Sequence, residues 1–123
     1  MAYNLLKGKK GIIFGALDEK SIAWITAIRA HEEGAKLILS NSPIAIRMGG
    51  INELAKKVGD APVIGADATS MEDLENLFVG ARDHFGGGID FILHSIGMSP
   101  NIRKGRSYGD LNYEWFQKTL DVS

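Results

Sequence analysis

The chain contains no cysteine, which excludes disulfide bridges, zinc-thiolate centres and thiol nucleophiles and is compatible with a reducing compartment. It carries almost no net charge, because 14 Lys and Arg stand against 15 Asp and Glu. The two signs are interspersed, so no basic stripe offers an electrostatic footprint for nucleic acid. Long hydrophobic runs are missing too. The first ten residues include Lys7, Lys9 and Lys10 but no apolar stretch of the signal-peptide kind. No later segment approaches the roughly 20 apolar residues of a membrane span. His31 and His84 have no partner at metal-ligand spacing, so no metal site is expected. These absences point to a cytoplasmic protein that works without membrane, nucleic acid or metal.

What is present is a chain of 123 residues with 45% hydrophobic content, enough for about one globular domain. Its apolar period switches back and forth. Strand-like runs are predicted over residues 11–15, 36–40, 62–67 and 89–97, and helical patterns lie between them. In the first helix Ala23, Thr26, Ala27 and Ala30 form a small-residue stripe flanked by Ile22, Ile25 and Ile28, suited to close packing on a sheet. The second pattern uses Met48, Ile51, Leu54, Ala55 and Val58, with Gly49 and Gly50 blurring its start. For the third, Ser70 and Asp73 read as a capping box, and Met71, Leu74, Leu77, Phe78, Ala81 and Phe85 share one face.

The strands Leu37–Leu39 and Ile89–His94 are continuous apolar runs rather than alternations, which predicts a parallel sheet covered on both faces. Right-handed crossovers then give an α/β, Rossmann-like doubly wound sheet of strand order 3-2-1-4. Ligands of such sheets bind beyond the strand carboxyl ends at the switch point, here between the first and fourth strands. The stretch from Gly11 to Ala23 fits that geometry. An apolar strand breaks at Gly15 into a small polar turn and resumes as a helix, whose first-turn amides and dipole attract an anion such as a pyrophosphate. Ser21 stands where a glycine fingerprint usually continues and offers a hydroxyl donor. The G-x-G-x-x-G spacing is absent, so a plain strand-to-helix turn is an equally open reading of these residues alone.

Three loops taken together are more specific: G-A-L-D-E-K-S-I-A from Gly15, D-A at Asp67, and H-S-I-G-M-S-P from His94. In these the chain resembles the enoyl-acyl-carrier-protein reductases of bacterial fatty-acid synthesis, divergent members of the short-chain dehydrogenase/reductase superfamily. The similarity runs from about Leu6 to the last residue. It implies that Gly15, Ser21 and Ile22 line the pyrophosphate and adjacent ribose, that Asp67 and Ala68 hold the adenine, and that Ser95, Ile96 and Gly97 border the nicotinamide ribose. Ser42 falls where the family approaches the adenosine ribose, and Ser99 where it approaches the acyl substrate. The implied activity is NADH-dependent reduction of the double bond of an enoyl chain on acyl carrier protein, by a homo-oligomer, tetrameric in the family.

The resemblance also implies a tyrosine and a lysine in a Tyr-x6-Lys segment beyond Ser123, so residues 1–123 are expected to be the N-terminal portion of a single dinucleotide-binding domain, with no catalytic residue of their own. Tyr3, Tyr108 and Tyr113 are not expected to substitute. The alternative reading is a nucleotide-binding half-domain without chemistry. No Arg or Lys directly follows the second strand, which favours NADH over NADPH, with Arg47 one helical turn away as the residue that would reverse this. His94 is read as a structural residue that orients the following loop. Arg103, Lys104 and Arg106 are either a docking contact for an acidic carrier protein or a hydrated loop.

Overall fold

The computed structural model describes residues 2–96 and 113–122. Four parallel strands, β1 (Lys10–Phe14), β2 (Lys36–Asn41), β3 (Val63–Gly65) and β4 (Phe91–His94), form one sheet of order β3-β2-β1-β4. The helices are α1 (Ile22–Glu32), α2 (Pro43–Arg47), α3 (Gly50–Lys57), α4 (Met71–Phe85) and α5 (Tyr113–Val122). The expected strand order and parallel pairing are therefore observed. The two outer strands are shorter than their apolar runs, because pairing ends where the partner strand ends.

Successive strand residues point to opposite faces, which divides the core in two. Ile13, Leu37 and Leu39 pack on one face with Ala23, Trp24, Ala27, Ile51 and Leu54 of α1 and α3. Ile12, Phe14 and Ile38 pack on the other with Leu77 and Ala81 of α4. The alanine stripe of α1 lies against the sheet, with Ala23 and Ala27 fully buried. Ile22 and Ile25, expected beside it, are exposed instead. The indole of Trp24 takes the neighbouring arc, with the Lys57 ammonium 5.7 Å from its ring centroid.

The second helical pattern divides in two. Ser42 caps α2 by accepting from the Ala45 amide, Pro43 occupies the first turn, and Gly49 at φ 87° breaks the chain before α3. Met48 consequently ends α2 as an exposed residue, while Ile51, Leu54, Ala55 and Val58 are buried. On α4, Leu77 and Ala81 are buried but Met71 and Phe78 are exposed, so its apolar face is narrower than the pattern suggested. Its capping box is only half formed. Ser70 Oγ accepts from the Asp73 amide, but the Asp73 carboxylate passes over Ser70 and accepts from the Asp67 amide at 2.9 Å.

The expectation of two covered faces holds for β2 and fails for β4. Leu37 to Ser40 are buried, whereas Ile92 is 51% exposed and Phe91 and Leu93 are only half-buried. Helix α4 follows β3 and packs on the β3 side of the sheet, so the described residues cover the β4 end of that face only in part. Among these residues no helix is long and apolar enough to cross a membrane.

Candidate functional site

The carboxyl ends of β1, β2, β3 and β4 deliver four loops to one edge of the sheet. At the centre, the Gly15 amide donates to Ser40 O and the Ser95 amide to Phe14 O, each at 2.9 Å. Gly15 has φ 118°, and a Cβ there would overlap the Ser95 carbonyl. Only glycine allows the first and fourth loops to lie this close.

Ser21 organises the loop between them and α1. Its Oγ donates to Asp18 O at 2.8 Å and accepts from the amides of Leu17 and Trp24 at 3.3 and 3.2 Å. The hydroxyl proton expected for a ligand thus goes to Asp18, and the serine instead shapes the turn and caps the helix. The first-turn amides of Ile22 and Ala23 have no intrahelical carbonyl to reach and are the donors that this end could offer an anion.

Asn41, which the sequence reading passed over, ties two loops together. Its Nδ2 donates to Ala16 O and its Oδ1 accepts from the Ser42 amide, both at 2.8 Å. The only sequence signal was its position at the end of an apolar strand, directly before Ser-Pro. Ser40 is fully buried, with Oγ donating to Ile64 O at 2.6 Å, and so fastens β2 to β3 just behind the site.

Asp67 lies beyond β3. Its Oδ1 accepts from Thr69 Oγ1 at 2.6 Å and from the Thr69 amide at 2.8 Å. The hydroxyl and amide of Thr69, with Lys118 adding attraction from α5, hold the carboxyl below its ordinary range. Oδ2 has no partner among the described residues.

Ser42, Asp67, Ala68 and Ile96 line one cavity of about 360 Å³ with Ile44 and Val122. Its size is in the range of small-ligand sites, and its apolar walls with a polar end suit a flat, polar-edged ring. Gly15 and Ser95 directly adjoin the lining residues Phe14 and Ile96 in the chain, whereas Ser21 and Ile22 are not among the lining residues. Gly97 and Ser99 lie outside the described residues, as do Tyr108 and the basic cluster Arg103, Lys104 and Arg106. A larger depression beside the end of α4, lined by Val79, Arg82 and Asp83, includes none of the expected residues. His94 is exposed at the end of β4. Among the described residues no group of His, Asp or Glu is placed to hold a metal ion.

The family model for enoyl-(acyl carrier protein) reductase matches residues 15–123. The chain belongs to the enoyl-(acyl carrier protein) reductase family. Relatives of this family include the NADH-dependent enoyl-[acyl-carrier-protein] reductases FabI of Rickettsia conorii, 34% identical over the whole of this chain and 46% of the relative, and of Aquifex aeolicus, 32% identical over 98% of this chain and 44% of the relative. A crystal structure of a FabI–NADH complex from Alistipes finegoldii superposes with a TM-score of 0.92 at 62% identity, over 98% of this chain and 42% of that one. The chain thus spans a little under half the length of these relatives. Within this chain Tyr3 is remote from the site. Its amide is bonded to Glu33 at the opposite edge of the sheet, and its side chain, like that of Tyr113, is exposed.

Proposed function

We propose that this chain supplies the cofactor-binding part of an NADH-dependent reductase that saturates the double bond of an enoyl chain carried on acyl carrier protein. The observation that carries the reading is that Ser42, Asp67, Ala68 and Ile96 line one cavity together with Phe14, the residue directly before Gly15. Asp67 Oδ2 is then the acceptor for the adenine amino group, Ile44, Ile96 and Val122 bracket the ring, and Ser42 meets the adenosine ribose. The amides of Ile22 and Ala23 meet the pyrophosphate, Gly15 gives it room, and Ser95, Ile96 and Gly97 border the nicotinamide ribose, with Ser99 toward the acyl group. Bound there, the nicotinamide ring supplies the hydride. The FabI relatives named for NADH support the cofactor assignment. A homo-oligomer acting in the cytoplasm completes the proposal.

Calorimetric titration of the chain with NADH tests it. Saturable binding is expected. In the presence of crotonyl thioester the 123-residue chain is expected to bind NADH without oxidising it, because the enolate-stabilising donor that such chemistry needs, worth on the order of 100-fold in rate, has no counterpart among the described residues of this edge. Absence of binding would sink the cofactor reading. Thioester-dependent oxidation would instead place the catalytic groups within these residues.

A further inference from the structure

Among the described residues, the cavity at the end of β2 and β3 has one cationic side chain in its lining, and it comes from a different element than the sequence suggested. Arg47 ends α2 as an exposed residue and is not part of the lining. Lys118, on α5, is part of it, together with Ser42 and Asp67. The ion pair found among the described residues is Arg29–Glu32 on α1, so Lys118 has no described carboxylate within salt-bridge distance. We propose that Lys118 determines how the site treats a phosphate on the adenosine 2′-oxygen, by offsetting the negative charge that Asp67 places in the same cavity. The inference rests on the adenosine reading given above.

The sign follows from the charges. Asp67 keeps a carboxylate oxygen with no partner among the described residues at this cavity, and a phosphomonoester brings about −1.5 to −2 further charges at neutral pH. Alone, the carboxylate would repel it. The ammonium of Lys118 offsets that local field, and its four-carbon stem lets it follow a ligand that differs by one phosphate. A ribose carrying only hydroxyls has little to gain from the cation, since its 2′-oxygen is recognised at the end of the second strand, where Ser42 stands. Lys118 therefore weighs on the phosphorylated ligand selectively. It makes the preference for the unphosphorylated cofactor shallower than the empty stretch after β2 alone would set.

The test uses the full chain and two fragments of the cofactors, 5′-AMP and 2′,5′-ADP, titrated by calorimetry against wild type, Lys118→Met, Lys118→Arg and Arg47→Met. Lys118→Met is expected to weaken 2′,5′-ADP by about fivefold while changing 5′-AMP by less than about twofold. Lys118→Arg should retain both affinities, and Arg47→Met should leave both unchanged. Equal losses of the two probes in Lys118→Met would mean that the side chain acts as a wall and not as a charge, and would overturn the proposal. So would unchanged affinities, or a selective loss of 2′,5′-ADP in Arg47→Met. If wild type binds neither probe, the adenosine reading itself fails, a result distinct from all of these.

Discussion

Two carboxylates at opposite edges of the sheet are both held below their ordinary range, and they do different things. At the amino edge, Glu33 Oε2 accepts from the amides of Leu5 and Tyr3 at 3.1 and 2.9 Å, while Glu33 O accepts from the Leu6 amide. The backbone donors of Leu5 and Tyr3 lower its pKa, and its bonds fasten the N-terminal segment to the end of α1. At the carboxyl edge, Asp67 takes its two bonds on a single oxygen, from a residue two positions on, and lines a cavity with a cation. A depressed carboxyl is therefore no mark of function here. What separates the two acids is whether the bonds that depress them clamp the chain or leave an acceptor at a cavity.

Glycine substitution should break this contrast between the edges most sharply. Gly15 and Gly34 both have positive φ, 118° and 97°, but their surroundings differ. A Cβ on Gly15 overlaps the Ser95 carbonyl, which cannot retreat without loosening the Ser95–Phe14 bond that extends the β1–β4 pairing. On Gly34 it would meet Lys7 Cα at 3.0 Å, in an exposed segment that can shift. Gly15→Ala should cost about 3 kcal/mol and abolish NADH binding. Gly34→Ala should cost about 1 kcal/mol and leave binding intact. Urea unfolding with NADH titration checks both, and comparable losses at the two sites would remove the distinction.

A smaller effect sharpens the comparison of the acids themselves. In Asp67→Asn the Oδ1 acceptor for Thr69 survives, so the fold is preserved, while the oxygen proposed for adenine becomes an amide. NADH affinity should fall by about fivefold, the modest figure appropriate to a solvent-accessible charged acceptor. Glu33→Gln should not change it. If both substitutions weaken NADH alike, the effect is one of general stability and the adenine assignment is lost.

Much of this was legible in the sequence, and the omissions share a physical cause. The strand order followed from alternating apolar periods, and the shared cavity of Ser42, Asp67, Ala68 and Ile96 followed from loops that a parallel sheet must bring to one edge. Strand β4 misled because a continuous apolar run records what could be covered and not what packs there, as the exposure of Ile92 shows. Helix α2 is five residues long, too short for its period to register, although Ser42-Pro43 was a usable cap signal. Asn41 and Lys118 were missed for one reason. Their importance comes from tertiary neighbours, Ala16 for the first and Asp67 for the second, that no local spacing encodes.

The smallest expected effect concerns pH. Both acids are depressed in the folded chain, from ordinary values of 4.5 for Glu33 and 3.8 for Asp67. Each therefore contributes stability that is present above its ordinary value and is lost as the pH falls through the lower folded one. Glu33→Gln should melt below wild type at pH 7, and the gap should close as the pH drops beneath 4.5. Asp67→Asn should behave likewise beneath 3.8. Saturating NADH at pH 7 then separates the two, because a ligand that binds wild type more tightly raises its melting temperature more. The Asp67→Asn gap should widen on adding NADH, and the Glu33→Gln gap should not. Melting curves recorded across pH with and without NADH make the measurement. A gap constant with pH would mean that the amide and hydroxyl donors at these carboxylates do not distinguish the charged form from the neutral one, and a Glu33→Gln gap that widened with NADH would join the two edges into one functional unit.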